Sequence, residues 1–392
     1  MYDYIIAGAG CAGLSLVFHL LKSDELKNKR ILILDRDPKN ARDKTWCFWG
    51  REPLEYSCAH EVAWDKLVFQ GPQKSSSQNI TPYTYYHINS LEFYREILSM
   101  IEALPNVDVK WEKVLWIEDG KEAGRVNTVR NTYEGKWIFN SINFSPRVEE
   151  ENTIQVLQHF KGWFIETQEE VFHPGQATLM DFQLSSPDEI SFFYILPFST
   201  RKALIEYTVF SNDLLAEEEY ETELKRYIQE VLGTSEYTIT HQENGVIPMT
   251  NREYSHIGGK RIVNLGMIGG DTKPSTGYTF FNIQKSVKSI VSSLVVAGHP
   301  FERPSRQSRF LFYDTLLLDI MNNDPHAIRA IFEGLFARNK MIKVLRFLDE
   351  ETSLWDEAWL FLRLPWKYFF KALFRNYFPR RVKKAELSLK PL

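Results

Sequence analysis

The sequence predicts a mixed α/β fold, and three segments carry that prediction. The chain begins with an apolar strand, a glycine-rich turn and an apolar helix, "YDYIIAGAGCAGLSLVFHLLKS". Residues 155–210 contain several runs of β-branched and aromatic residues with few helix signals. Beyond Pro304 the pattern is helical to the end of the chain. Together these segments indicate a Rossmann-like domain, an antiparallel β-sheet domain and a helical C-terminal region.

The order of these segments predicts a discontinuous first domain. We assign residues 1–150 and 240–300 to a dinucleotide-binding domain, because a second strand, glycine loop and helix follow the β-rich region. Residues 151–239 form the β-rich substrate or catalytic domain. Residues 301–392 form the helical region, which ends in a basic amphipathic tail.

The bulk composition excludes several classes of protein. The formal net charge of −4 gives the chain no strong general attraction to nucleic acid. Three cysteines without a CxxC motif, and no secretory signal, are typical of reduced thiols in the cytoplasm. No run of 18 apolar residues is present, so we expect no membrane-spanning helix. We find no HExxH, GxSxG or cysteine–histidine cluster, and predict no metal site.

The N-terminal turn has the spacing of a dinucleotide-binding motif. Gly8, Gly10 and Gly13 form GxGxxG between a strand and a helix, and Asp35 ends the next strand. The glycines allow a tight turn, close approach to a pyrophosphate and close packing of helix on strand. A carboxylate at Asp35 can accept the ribose hydroxyls. The motif alone does not choose between a nicotinamide and a flavin dinucleotide.

A second glycine-rich loop lies far along the chain, in "GMIGGDTKPSTGYTF". It contains Gly266, Gly269, Gly270, Pro274 and Gly277, and it opens onto a long helix. A bound dinucleotide needs contacts at both ends, and this loop is our candidate for the second set. The alternative is a purely structural loop.

An isolated acid stands in the strand "ALIEYTVFS". Alternation places Glu206 and Thr208 on one face of the strand, and Tyr207 on the other. A carboxylate on an apolar face is costly to bury unless it is paired, hydrogen-bonded or protonated. The strand is therefore either an edge strand with its polar face in water, or it holds a deliberately buried acid.

Eight stretches follow one another along residues 3–352: "GAGCAGLSL", "KTWCFW", "FKGWFIE", "TLMDFQ", "LIEYT", "GVIPMT", "GMIGGDTKPSTGY" and "FLDEET". The most specific are "KTWCFW", "LIEYT" and the "PSTGY" part of the second glycine loop. In this order they resemble the lycopene cyclases of the soluble-fold bacterial and plant type, flavoproteins related to p-hydroxybenzoate hydroxylase.

The resemblance implies bound FAD in its reduced form, with an external reductant such as NADPH, and conversion of lycopene to β-carotene via γ-carotene. It places Glu206 on the family's catalytic acid, while Tyr207 replaces a second acid of the family motif. Cyclisation needs a proton donor in an apolar pocket and an electron-rich surface near the cation. Burial would keep Glu206 protonated for the first role. Trp46 and Trp49, together with Thr208, are our candidates for substrate contacts.

The C-terminal tail carries a separate signal. Lys367, Lys371 and Arg375 repeat every four residues, and Trp366 and Phe370 fall largely on the opposite side of the predicted helix. A basic amphipathic helix with aromatic residues is typical of a peripheral membrane element. Lycopene dissolves only in lipid, so a membrane surface is an expected partner. A helix docked on its own protein remains an equal alternative.

Two other functions are compatible with these patterns. One is a flavin monooxygenase or prenyl reductase of the same fold, and the other is a non-catalytic prenyl-lipid carrier. The sequence leaves open whether one or both ends are cyclised, whether the ring is β or ε, which reductant serves the flavin, and the oligomeric state.

Overall fold

The computed structural model describes residues 1–60, 62–144, 153–186, 188–303 and 307–378. The strands, in chain order, are β1 (Tyr2–Ala7), β2 (Ile31–Asp35), β3 (Thr45–Gly50), β4 (Val62–Trp64), β5 (Lys66–Gln70), β6 (Ser75–Asn79), β7 (Thr84–Asn89), β8 (Val107–Trp111), β9 (Val114–Glu118), β10 (Gly124–Thr128), β11 (Thr132–Asn140), β12 (Gln155–Thr167), β13 (Ala177–Asp181), β14 (Ile190–Pro197), β15 (Lys202–Ser211), β16 (Tyr237–Thr250) and β17 (Ile262–Asn264). The helices are α1 (Cys11–Lys22), α2 (Ser90–Glu102), α3 (Glu217–Glu230), α4 (Phe280–Val296), α5 (Ser308–Asn323), α6 (Ile328–Phe332), α7 (Met341–Leu348), α8 (Leu354–Phe361) and α9 (Trp366–Tyr377).

The first sheet is the Rossmann-like part of the mixed α/β fold that the sequence predicts. Its order is β8-β2-β1-β11-β10-β9, and β17 also pairs with β11. Strands β8, β2, β1, β11 and β17 run parallel. Strands β10 and β11 form the predicted antiparallel hairpin. Apolar side chains of α1, α2 and α4 form one core with this sheet, which fixes the glycine turn before α1 at the carboxyl end of β1.

The second sheet has the order β16-β12-β15-β14-β13-β5-β6. Strands β14 and β15 form an antiparallel hairpin, in which Tyr194 lies opposite Glu206. The sheet extends beyond the predicted segment 151–239, because it includes β5, β6 and all of β16. The polar sequence of β6, "SSSQN", and the short β5 carry little strand signal on their own.

The two faces of the second sheet have different partners, as the alternation along β15 predicts. Ile205, Tyr207 and Val209 pack with apolar side chains of α3. Leu204 and Phe210 instead belong to the large core that the sheet shares with helices α5 to α7. Glu206 and Thr208 therefore lie on the face covered by the rest of the protein.

A small sheet, β3-β7-β4, includes the "TWCFW" motif as β3. We did not predict strands in this region. The short apolar runs in this region show no clear alternation of apolar and polar residues, so they do not predict strands.

Two residues of the basic stripe on α9 form ion pairs with the protein itself. Arg375 forms ion pairs with Asp319 and, at 2.9 Å, with Asp324, and Lys371 pairs with Asp324 at 3.3 Å. These ion pairs favour the docked helix of our alternative, whereas Lys367 is exposed and membrane contact stays a prediction. The other side of the helix is apolar and exposed, with Phe370 at 54% and Phe374 at 60%. The later basic residues, 380–384, lie outside the described residues.

Among the described residues, no helix combines the length and apolar character needed to cross a membrane.

Candidate active site

The first glycine motif forms an open, anion-accepting turn. The amide of Ala9 donates to Oδ2 of Asp35 at 2.7 Å, which ties the turn to the end of β2. A Cβ added at Gly10 would meet no atom within 4 Å, so this position faces open space. A Cβ at Gly13 would lie 2.0 Å from the carbonyl oxygen of Gly8, so Gly13 allows helix α1 to pack on the turn. These are the separate roles that a dinucleotide-binding turn requires.

A cleft of about 510 Å³ opens at this turn. It is lined by Gly8, Gly10, Asp35, Arg36, Asp37, Lys39, Asp43, Lys113, Val114, Ser141, Ile142 and Asn143. The ammonium group of Lys39 lies 3.6 Å from the Asp35 carboxylate. A carboxylate beside exposed backbone amides at a helix N-terminus fits the ribose and pyrophosphate of a dinucleotide.

The second glycine loop meets the first at the start of α1. A Cβ at Gly266 would lie 3.3 Å from the Cβ of Ala12, so the two loops are in direct contact. The amide of Gly266 donates to the buried carboxylate of Asp271 at 2.8 Å. Asp271 is also held by Arg303 and Ser286. Asp271 thus organises this loop.

The rest of the loop reaches the second sheet. A Cβ at Gly277 would lie 2.8 Å from Oε1 of Gln158 on β12. The buried ammonium group of Lys273 pairs with Asp314 and Glu350, each at 3.1 Å, which ties the loop to the C-terminal helices. Gly269, Gly270 and Pro274 line a second cleft of about 530 Å³ on the outer side of the loop.

Glu206 points from β15 into the protein. The hydroxyl group of Thr208, which is fully buried, donates to Oε1 of Glu206 at 2.8 Å. Burial, and next the charge of Glu243, raise the pKa of Glu206 to about 8, although the Thr208 hydrogen bond opposes this shift. Glu206 is therefore protonated at neutral pH. Of the two interpretations of this strand, the structure supports the buried acid.

Glu206 borders a partly open region inside the protein. Glu206, Tyr194, Tyr278 and Cys47 lie deep in the protein, yet each retains accessible surface. The side chains of Tyr194 and Tyr278 lie close enough to affect each other's pKa, which places the strand opposite Glu206 beside the second glycine loop. Glu206 and the second glycine loop thus face one region.

Trp49 closes one end of this region. Its ring packs edge-on against Tyr278 at 4.9 Å, and its indole nitrogen donates to Oδ2 of Asp349 at 2.6 Å. Burial raises the pKa of Asp349 to about 7. The space beside Cys47, Trp49 and Tyr278 is only about 20 Å³, room for about one water molecule. A larger guest therefore requires side chains here to move.

Trp46 does not border the region beside Glu206. Alternation along β3 turns its side chain to the other face, where it stacks on Phe280 at 5.4 Å and packs edge-on against Phe93. The structure thus places the two predicted tryptophans on opposite faces of β3, and only Trp49 lies on the face of Cys47. Cys47, which we did not single out, takes the place beside Glu206, since the charge of Glu206 acts on its thiol.

Sequence reasoning also missed Glu243 on β16. Glu243 is buried on a strand whose flanking residues, Gln242 and Asn244, are exposed. One signal was present: this acid stands two residues before "GVIPMT", one of the stretches that carry the resemblance.

Solved structures share this architecture, and flavoproteins are among them. A geranylgeranyl bacteriochlorophyll reductase-like protein from Thermoplasma acidophilum is 13% identical with a TM-score of 0.56, and the match covers 96% of this chain and 97% of that one. A flavoprotein/dehydrogenase from Cytophaga hutchinsonii is 11% identical with a TM-score of 0.57, over 92% and 95% of the chains. A variant of HpxO from Klebsiella pneumoniae, complexed with FAD, is 14% identical with a TM-score of 0.55, over 96% and 98%. At these identities the likeness concerns the fold.

The match to a protein family is more specific than the match to a fold. A profile described as "Lycopene cyclase protein" matches residues 3–373. The chain therefore belongs to the lycopene cyclase family, as its motifs predict. A search of curated proteins found no match.

Proposed function

We propose that this protein is a lycopene β-cyclase, which closes the ψ end groups of lycopene to β-rings and yields β-carotene via γ-carotene. The observation that carries this proposal is Glu206: a carboxyl group deep in the protein, with a pKa that burial raises to about 8, on the strand that bears the family's motif. Membership of the lycopene cyclase family supports the substrate class.

The reaction needs one proton delivered and one removed. The carboxyl group of Glu206 donates its proton to the terminal double bond, whose π electrons form the new C–H bond. The adjacent carbon becomes cationic and is attacked by the next double bond, which closes the ring. Loss of a ring proton restores a double bond. General acid catalysis of this kind typically contributes about 10²–10⁴-fold.

The aromatic walls of the cavity assist the cationic stages. The ring of Trp49 and the rings of Tyr194 and Tyr278 surround the space near Glu206. Each ring face in contact with the cation contributes roughly 0.5–2 kcal/mol. The same rings exclude water, which would otherwise trap the cation as an alcohol.

The cofactor of this proposal is FAD. Its pyrophosphate and ribose would be held at Gly8, Gly10 and Asp35, and the flavin end would lie toward the second glycine loop. Reduced flavin would supply an electron-rich ring system beside the cation, with no net redox change. The open space at Gly10 and the Asp35 carboxylate fit this group.

The substrate reaches the protein from a lipid surface in this proposal. Helices α8 and α9 expose large apolar side chains, and Trp355 is 81% exposed and Trp359 65%. An exposed aromatic surface of this kind marks an interaction site. The sequence that follows α9 is basic at Arg380, Arg381, Lys383 and Lys384, which favours an anionic membrane.

The test is product analysis with purified protein, lycopene in liposomes, FAD and a reductant under anaerobic conditions. The proposal predicts β-carotene, with γ-carotene as an intermediate, and no stoichiometric consumption of reductant. A hydrogenated or oxygenated product with consumption of reductant would identify a reductase or monooxygenase of the same fold. Bound lycopene without conversion would identify a carrier.

A further inference from the structure

Two carboxyl groups face each other across a glycine in the second sheet. Gly162 on β12 lies opposite Glu206 of β15 on one side and opposite Glu243 of β16 on the other. A Cβ added at Gly162 would lie 3.6 Å from the Cβ of Glu206 and 3.3 Å from the Cγ of Glu243. Leu204 Cδ1 would lie nearer still, at 2.9 Å, so the missing side chain at Gly162 allows Leu204 and the two acids to pack over this point of the strand.

The surroundings of the two acids are unequal. Oε2 of Glu243 accepts a hydrogen bond from the Thr45 hydroxyl group at 2.8 Å. Burial raises the pKa of Glu243 and Asp43 adds to this shift, whereas the Thr45 hydrogen bond and the positive charges of Arg42 and Lys44 favour its ionised form. Among the residues that the structure describes, no cation contributes to the pKa shift of Glu206, whose hydrogen-bond partner is Thr208. The ionised form is therefore better stabilised on Glu243.

The remaining groups that face the pair are neutral. Tyr194 faces Glu206 from β14, and Cys47 faces both acids from β3. Burial raises the pKa values of both side chains far above neutrality. Two like charges in one buried site do not both ionise readily, so one proton is retained between them.

We propose that Glu243 is the ionised partner of Glu206, a positioning residue that holds the catalytic proton on Glu206 and drives its return after ring closure. The inference rests on the proposed function. When Glu206 gives its proton to the terminal double bond, two carboxylates face each other across Gly162. Their repulsion makes Glu206 a stronger base, which takes back the proton that leaves the ring-closed cation. The C–H electron pair becomes the ring double bond, so protons and electrons balance without an added oxidant or reductant.

The decisive variant is Glu243→Gln, which keeps the size of the side chain and an oxygen that can accept from Thr45. Removing the negative charge should lower the pKa of Glu206. The alkaline limb of kcat/KM for lycopene should then move down by about one pH unit or more. Glu243→Asp restores the charge, so its pH profile of kcat/KM should lie close to that of the wild type on the alkaline side. Gln242→Ala, one residue away and exposed, is the matched control.

A second readout does not depend on turnover. Infrared titration of the flavin-loaded protein follows the C=O stretch of a protonated carboxyl group, assigned by its loss in Glu206→Gln. In the wild type this band should persist to about pH 8. In Glu243→Gln it should disappear at lower pH, whereas titration at the same pH in both proteins would overturn the inference. If the wild type makes no β-carotene, but the band still disappears at lower pH in Glu243→Gln than in the wild type, the proposed function is overturned and the carboxyl pair stands.

Discussion

The hydroxyl group of Thr208 donates a hydrogen bond to the carboxyl group of Glu206 at 2.8 Å, from two residues along the same strand. Both side chains lie on the face of the second sheet that is covered by the rest of the protein. The contact stabilises the ionised form of an acid that burial otherwise keeps protonated. Thr208 therefore tunes the proton donor, and its role is open to a direct test.

Thr208→Val should move the alkaline limit of activity upward. Valine has nearly the same shape but offers no hydrogen bond, so the pKa of Glu206 should rise above its value of about 8. Because the protonated form is the active one, cyclisation should persist to higher pH. The measurement is the pH dependence of kcat/KM. A limb that moves down, or does not move, would contradict this role for Thr208.

Gly10→Val should abolish flavin binding while the fold is preserved. A side chain at Gly10 meets no protein atom within 4 Å, so only a ligand in the cleft is displaced. The measurement is flavin absorbance per purified chain, with circular dichroism as the control for folding. Gly13→Val is the matched comparison and should unfold the protein, because its Cβ would lie 2.0 Å from the Gly8 carbonyl oxygen. Full flavin occupancy in Gly10→Val would overturn the assigned cofactor site.

Replacing Phe370 and Phe374 by serine should release the protein from lipid vesicles. Both rings are more than half exposed on the outer side of α9. The measurement is co-sedimentation with vesicles that contain anionic lipid, and Val296→Ser on α4, which is 83% exposed, is the control. A dimer that dissociates on this change, with no effect on vesicle binding, would show that the surface joins two copies instead.

The basic stripe of α9 should behave differently from its aromatic side. Arg375→Gln leaves the carboxylates of Asp319 and Asp324 without their main cation, so the melting temperature should fall. Vesicle binding by the protein that remains folded should be unchanged. Release of this variant from vesicles at full thermal stability would restore the membrane-facing orientation of the stripe.

The buried acid should also cost stability as the pH rises. The pKa of Glu206 is about 8 in the folded protein against an ordinary value of 4.5. Between these values the unfolded chain releases this proton and the folded protein retains it, so folding becomes less favourable with increasing pH. Glu206→Gln removes this effect. Its melting temperature relative to the wild type should be higher at pH 8 than at pH 5, and an equal difference at both would contradict the raised pKa.

Local patterns in the sequence were sufficient for the main elements and for the strand that carries Glu206. The GxGxxG turn with Asp35 and the alternation around Glu206 each depend on neighbours along the chain, and the family motifs added the chemistry. The partner of Glu206 was not accessible in this way. Glu243 and Gly162 meet Glu206 only through strand pairing, and no local pattern reports that register.

The same limit applies to the two tryptophans and to the basic stripe of α9. Trp46 and Trp49 read as a pair in "TWCFW", but an interval of three residues on a strand places them on opposite faces. The basic residues of α9 have a membrane-like period, yet the acids that bind them, Asp319 and Asp324, lie about fifty residues earlier in the chain. Amphipathic pattern alone does not say which side of a helix faces its own protein.

The most direct test of the account is the pigment made by a lycopene-producing host that expresses the wild type or Glu206→Gln. The account predicts β-carotene from the wild type. It predicts unchanged lycopene from Glu206→Gln, although that variant should retain its flavin and its fold. Tyr207→Phe, whose side chain packs on the opposite face against Phe193, should remain active. β-carotene from Glu206→Gln at the wild-type level would contradict the central claim that this carboxyl group is the proton donor.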